Sequence, residues 1–120
     1  MNLSKRILAV LVLLIVSISL SACGKKYKAV KPDKDPTKLV QDKNYTEDLK
    51  KEKEISNGQV YVQNNTVIAT MIIKDGVKKE EAKALAEKYA NNLKKTYKGM
   101  PINVQAVQNG NNVANITLNK

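Results

Sequence analysis

Histidine, tryptophan and phenylalanine are absent from the 120 residues, and cysteine and arginine occur once each, at Cys23 and Arg6. Each gap closes off a chemistry. Without histidine, the side chain that most often serves as a general base near neutral pH is missing. One thiol and no imidazole cannot build a Cys/His zinc site, and one thiol cannot form an intramolecular disulfide. No serine lies in a G-x-S-x-G setting, and no glycine-rich loop precedes a helical stretch. A single arginine deprives a nucleic-acid surface of the residue that contacts base edges and phosphates in bidentate fashion. These absences argue against an enzyme, a metal or other cofactor, and a nucleic-acid partner.

What the chain has is lysine. Lys and Arg total 21 against 11 acids, a formal charge of +10. Such a balance favours anionic lipid or an anionic wall polymer, or simply gives a well-solvated surface. The excess of lysine over arginine, with abundant asparagine, is the composition expected of a low-GC bacterium.

The start of the chain is organised. "MNLSKR" is basic, residues 7–16 ("ILAVLVLLIV") are unbroken apolar, and "SISLSA" follows. This is the layout of a secretory signal. The apolar stretch from Ile7 to Ala22 is 16 residues even when counted generously, short of the roughly 20 that cross a bilayer as a helix. Leu20-Ser21-Ala22-Cys23 resembles the lipobox of bacterial lipoprotein signal peptides. That resemblance implies cleavage before Cys23, removal of residues 1–22, and acylation of the Cys23 thiol. The membrane would then be a partner through the anchor, on the extracytoplasmic face of the cell. Two acyl chains anchor stably where one does not, and Lys25, Lys26 and Lys28 would lie against an anionic surface.

Residues 23–57 read as a lipidated cysteine and a charged, disordered tether. Residues 24–57 hold ten lysines, seven acids, Pro32 and Pro36, with little apolar periodicity. Such a segment offers little burial to offset its ordering entropy, and as a coil it would reach about 30 Å. Within it, Thr46 to Ile55 is compatible with a short helix capped by Thr46. Asp33 and Asp35 begin a calcium-loop spacing, but the third ligand and the glycine are missing, so no metal site is expected.

Residues 58–120 read as a small α+β domain. "QVYVQ" and "TVIATMIIK" alternate around Asn64-Asn65, which predicts Val62 opposite Val67 and Val60 opposite Ala69. Val60, Val62, Val67, Ala69, Met71 and Ile73 then share the core face, and Tyr61, Ile68, Thr70 and Ile72 share the other. Ala82, Leu85, Ala86, Tyr89, Leu93 and Tyr97 recur at helical spacing, with acids at the start and lysines at the end. "PINVQAVQ" and "NVANITLN" form a second hairpin. A simple two-residue turn at Asn109-Gly110 would mix its faces, so an odd loop is expected. That loop pairs Ala106 with Ala114, Val104 with Ile116 and Ile102 with Leu118.

The predicted fold is therefore ββαββ, a two-layer α+β domain. Its four-stranded, largely antiparallel sheet carries one helix on one face. The other face, with Tyr61, Ile68, Ile72 and Val107, has no helix of its own and is the expected interaction face. The occupant would be an envelope protein. The alternative is an anionic wall polymer or a soluble ligand bound through surface lysines.

The succession of lipobox, charged segment, "VYVQNNTVIATMII", a Lys/Glu-rich helix and "PINVQ" is similar to the sporulation lipoprotein family of low-GC spore-formers, over roughly residues 58–105. The resemblance implies a protein of the cell or spore envelope and carries no catalytic residues.

Overall fold

The computed structural model describes residues 27–120. Five strands form one sheet in the order β1 to β5: β1 (Val40–Gln41), β2 (Ile55–Gln63), β3 (Thr66–Ile73), β4 (Ile102–Gln108) and β5 (Asn111–Leu118). Neighbouring strands run antiparallel except β3 and β4, which are parallel. Two helices, α1 (Lys43–Lys51) and α2 (Lys79–Thr96), cover one face. The class is α+β as expected, but the sheet has one strand more and the layer one helix more.

The added elements come from the segment expected to be tether. It already packs on the domain at Tyr27 and Val30, forms strand and helix from Val40 onward, and β2 begins at Ile55 rather than at Gly58. The reason is the width of the sheet. With strands about 4.8 Å apart and a helix about 10 Å across, one helix covers roughly two strands. Helix α2 lies over β4 and β5 and touches β3 less. The apolar faces of β2 and β3 need another cover. Tyr45 and Leu49, four apart on α1, supply it and are buried with Ile55. Three apolar side chains suffice because the one buried charge beside them, Asp42, is hydrogen-bonded.

Helix α1 starts earlier than its composition suggested. Its cap is Asp42, whose side chain accepts from the Tyr45 N–H at 3.1 Å. Thr46 is buried inside the helix instead. Its hydroxyl accepts the Val60 N–H at 2.9 Å and donates to the Val60 carbonyl at 3.3 Å. Gly58 makes room for α1: a Cβ there would overlap Leu49 Cδ2 and stand 3.0 Å from the Thr70 carbonyl oxygen.

The first hairpin has the expected register, with Val62 opposite Val67 and Val60 opposite Ala69. Asn64 and Asn65 both take positive φ, 53° and 56°, as a two-residue primed turn requires. A bulge between Ile55 and Asn57 turns Ile55 into the core and leaves Asn57 on the far side.

The second hairpin has the expected pairings by a different device. Ala106 faces Ala114, Val104 faces Ile116 and Ile102 faces Leu118. The turn is the two-residue Asn109-Gly110, with φ of 52° and 76°. The extra residue is Val113, in a bulge opposite the Ala106–Val107 step. A bulge repairs the faces as well as an odd loop would.

Helix α2 buries Ala82, Leu85, Ala86, Tyr89, Ala90 and Leu93. Tyr97 caps the helix rather than extending it, and is fully buried beyond its end. Ile116 and Leu118, paired with the buried Val104 and Ile102, are only half-buried because β5 is the edge of the sheet.

Candidate functional site

The open face of the sheet is built from the alternate residues of each strand. Three cross-strand rows run over it. One holds Gln41, Tyr61, Ile68, Asn103 and Thr117, and the next Gln59, Thr70, Gln105 and Asn115. The third holds Asn57, Ile72, Val107 and Asn112. None of these side chains is charged, although the chain carries +10.

All four expected interaction residues lie on this face, as two pairs rather than one patch. Tyr61 neighbours Ile68, and Ile72 neighbours Val107. The amide and hydroxyl row of Gln59, Thr70 and Gln105 separates them. Ile72 is 39% exposed, while Tyr61, Ile68 and Val107 are half-buried. At the β4–β5 end the amides satisfy one another. Asn103 Nδ2 donates to Asn115 Oδ1 at 2.9 Å and to Thr117 Oγ1 at 3.1 Å, and Gln105 Nε2 donates to Asn103 Oδ1 at 2.8 Å. At the β2 end a shallow groove of about 440 Å³ opens between Gln41, Asn57, Gln59, Tyr61, Thr70 and Ile72, with Lys50 at its rim. The face offers neutral donors, acceptors and apolar contacts.

A second polar constellation, which sequence reasoning missed, lies under the helices. Asp42 is buried and spends both carboxylate oxygens. Oδ1 caps α1, and Oδ2 accepts from the Tyr97 hydroxyl at 2.5 Å. The Tyr97 oxygen in turn accepts from the Val30 N–H at 3.1 Å. Tyr45 places its hydroxyl 2.6 Å from Thr96 Oγ1 and its ring edge-on to Tyr27, with centroids 5.1 Å apart. Tyr89 donates to Glu52 Oε1 at 3.1 Å, which Lys88 also contacts at 3.4 Å. Burial, then the Asp42 carboxylate, push the Tyr97 phenol above its ordinary pKa, and burial with Glu52 does the same to Tyr89. Burial alone leads for Tyr45. A hydrogen bond to Asp48 leads for Tyr27, pushed up to about 12. These phenols stay protonated and act as struts. The signal in sequence was four tyrosines, none of them on the open face, in a chain without other large aromatics except Tyr61.

Asp33 and Asp35 make local turns. Asp33 Oδ1 accepts the Asp35 N–H, and Asp35 Oδ1 accepts both the N–H and the hydroxyl of Thr37. Among the described residues no three His, Cys, Asp or Glu side chains are grouped to hold a metal ion. Cys23 and the motif Leu20, Ser21 and Ala22 lie outside the described residues, as does the signal segment 1–22.

No protein-family model matches the chain, and no curated protein matches it. Among solved structures, the crystal structure of the Sex pheromone staph-cAM373 precursor is similar in fold, with a TM-score of 0.52 at 18% identity. The match covers 69% of this chain and 39% of that one, so the chain spans about two fifths of that structure's length.

Proposed function

We propose that this chain is a lipid-anchored, non-enzymatic binding module on the outer face of a bacterial cell or spore membrane. Cys23 carries the anchor, and the open sheet face engages an envelope protein. The observation that carries the reading is Leu20-Ser21-Ala22-Cys23 at the end of a basic-then-apolar leader. Supporting it, the sheet face presents Tyr61, Ile68, Ile72 and Val107 among uncharged amides in an otherwise lysine-rich chain. An uncharged face on a strongly charged protein keeps its desolvation cost low.

Mass spectrometry of the protein recovered from membranes tests the anchor. The mature chain is expected to start at an acylated Cys23, and Cys23→Ala is expected to leave an unprocessed precursor or a released protein. A free thiol on a chain still beginning at Met1 would refute the reading.

A further inference from the structure

The two margins of the sheet are built differently. At the β1 margin the strand is two residues long, and the β2 backbone beyond it is already served. Asp42 N–H donates to the Val60 carbonyl at 2.8 Å, Thr46 Oγ1 accepts the Val60 N–H, and Asn57 Oδ1 accepts the Gly58 N–H at 2.9 Å. At the other margin β5 runs for eight residues with neither a charge nor a proline. Those are the features that usually guard an edge. Among the described residues no strand pairs with its outer side.

Turn geometry fixes which backbone groups face outward. A two-residue turn makes its flanking pair hydrogen-bonded, and the bonds alternate from there. In the first hairpin this rule, counted from Gln63 and Thr66, turns the Val60 groups outward, and they meet Asp42 and Thr46. In the second hairpin, counted along β4 from Gln108 and across the bulge, it aims Ala114, Ile116 and Leu118 at β4. Asn115 and Thr117 therefore turn their N–H and C=O groups away from the sheet, at the spacing of an antiparallel partner.

The helix layer has room for that partner. Helix α2 rests over β4 and β5, so its axis stands about one strand spacing inside a two-fold axis placed just beyond β5. Two copies related by that axis would hold their α2 helices roughly 10 Å apart, close to the separation at which helices pack. The charges also fit. Lys94 contacts the Asn119 carbonyl at the end of β5, so the stripe of α2 on that side includes Glu80, Glu87, Asn91 and Lys94. Its acids lie toward the helix start and Lys94 toward the end. A two-fold axis runs the helices antiparallel and sets Glu80 level with Lys94 of the partner subunit. Val113, Ile116 and Leu118, half-buried at the margin, gain cover from the same contact.

We propose that β5 is a self-association edge. Two copies pair β5 to β5, antiparallel, giving a ten-stranded sheet with the helices of both on one face. This inference stands apart from the lipid anchor and uses the backbone edge of β5, although the Asn115 and Thr117 side chains belong to the open face.

The test is the mass of the purified full chain in detergent, by sedimentation velocity across a concentration series, with dimer expected. Thr117→Pro removes an outward N–H without removing a bond to β4. It is expected to weaken dimerisation roughly tenfold or more. Asn115→Lys, a charge beside the same edge, is the second variant and carries the test if far-UV circular dichroism shows Thr117→Pro unfolded. A chain that stays monomeric throughout overturns the proposal. So does a dimer that keeps its affinity in the folded variants.

Discussion

The Tyr97 hydroxyl donates to the Asp42 carboxylate across 55 positions of sequence and ties the cap of α1 to the end of α2. Each group would be poorly placed without the other. An unpartnered buried hydroxyl or carboxylate costs about 1–3 kcal/mol or more. The bond therefore couples the two helices.

Tyr97→Phe is expected to cost about 1–2 kcal/mol. Asp42→Ala removes a helix cap as well and is expected to cost about 2–4 kcal/mol. Urea unfolding of both variants and of the double variant measures the coupling. A coupling energy near zero would mean that the two groups do not share a bond.

The protein is expected to lose stability as pH rises above about 10. Tyr45, Tyr89 and Tyr97 all have phenol pKa values raised in the folded state. Below the ordinary tyrosine pKa both states hold the proton, and the contribution is fully present. Above it the unfolded chain releases protons that the folded chain keeps, so stability falls. Urea midpoints from pH 7 to pH 11, as a round range within the tyrosine and lysine titrations, measure this. Tyr97→Phe isolates one tyrosine from the lysines, and its profile is expected to fall less steeply than that of the parent.

Gly58→Ala is expected to dislodge α1, because the new Cβ overlaps Leu49. Leu49→Ala alone is expected to cost about 2–5 kcal/mol through the cavity it leaves. The double variant is expected to be more stable than the sum of the two losses predicts, since Leu49→Ala vacates the space the new methyl needs. Additive losses would place the clash elsewhere, at the Thr70 carbonyl.

Ile72→Lys is expected to leave the fold intact, since Ile72 is already 39% exposed, and, on the proposal that the open face binds an envelope protein, to abolish crosslinking of the full chain in membranes. An unpaired charge is costly in a desolvated contact. Lys79→Glu with Lys83→Glu reverses exposed charges on α2 without touching the Lys88–Glu52 pair. If those reversals lose the partner while Ile72→Lys keeps it, binding runs through the lysines, as for an anionic wall polymer.

The first hairpin, the helix stripe and the open face were legible because each follows from a strict period. Val60, Val62 and Val67 alternate over enough residues that only one register hides them all. Val113 was not legible. A bulge and an odd loop restore the same faces, and the sequence between Ala106 and Ala114 serves either. Helix α1 was legible in part, as a short helix from Thr46 to Ile55, but its burial was not, because Tyr45 and Leu49 are two apolar residues among lysines and acids. Their burial follows from the width of the sheet, which is set by strands far along the chain. The Asp42–Tyr97 bond left no local trace, since a cap and a terminal tyrosine each have ordinary local explanations.

Tyr27 is held against Tyr45, and Val30 against Tyr97. Only residues 24–26 separate Cys23 from Tyr27, and an extended chain advances at most about 3.6 Å per residue. If Cys23 is acylated as proposed, the Tyr27 corner of the domain would hang within about 14 Å of the lipid attachment, on a leash rather than at the end of a long arm. Lys28, next to Tyr27 in the chain, is exposed. The bilayer would then see one side of the molecule, and any partner would have to approach in the plane just above the headgroups.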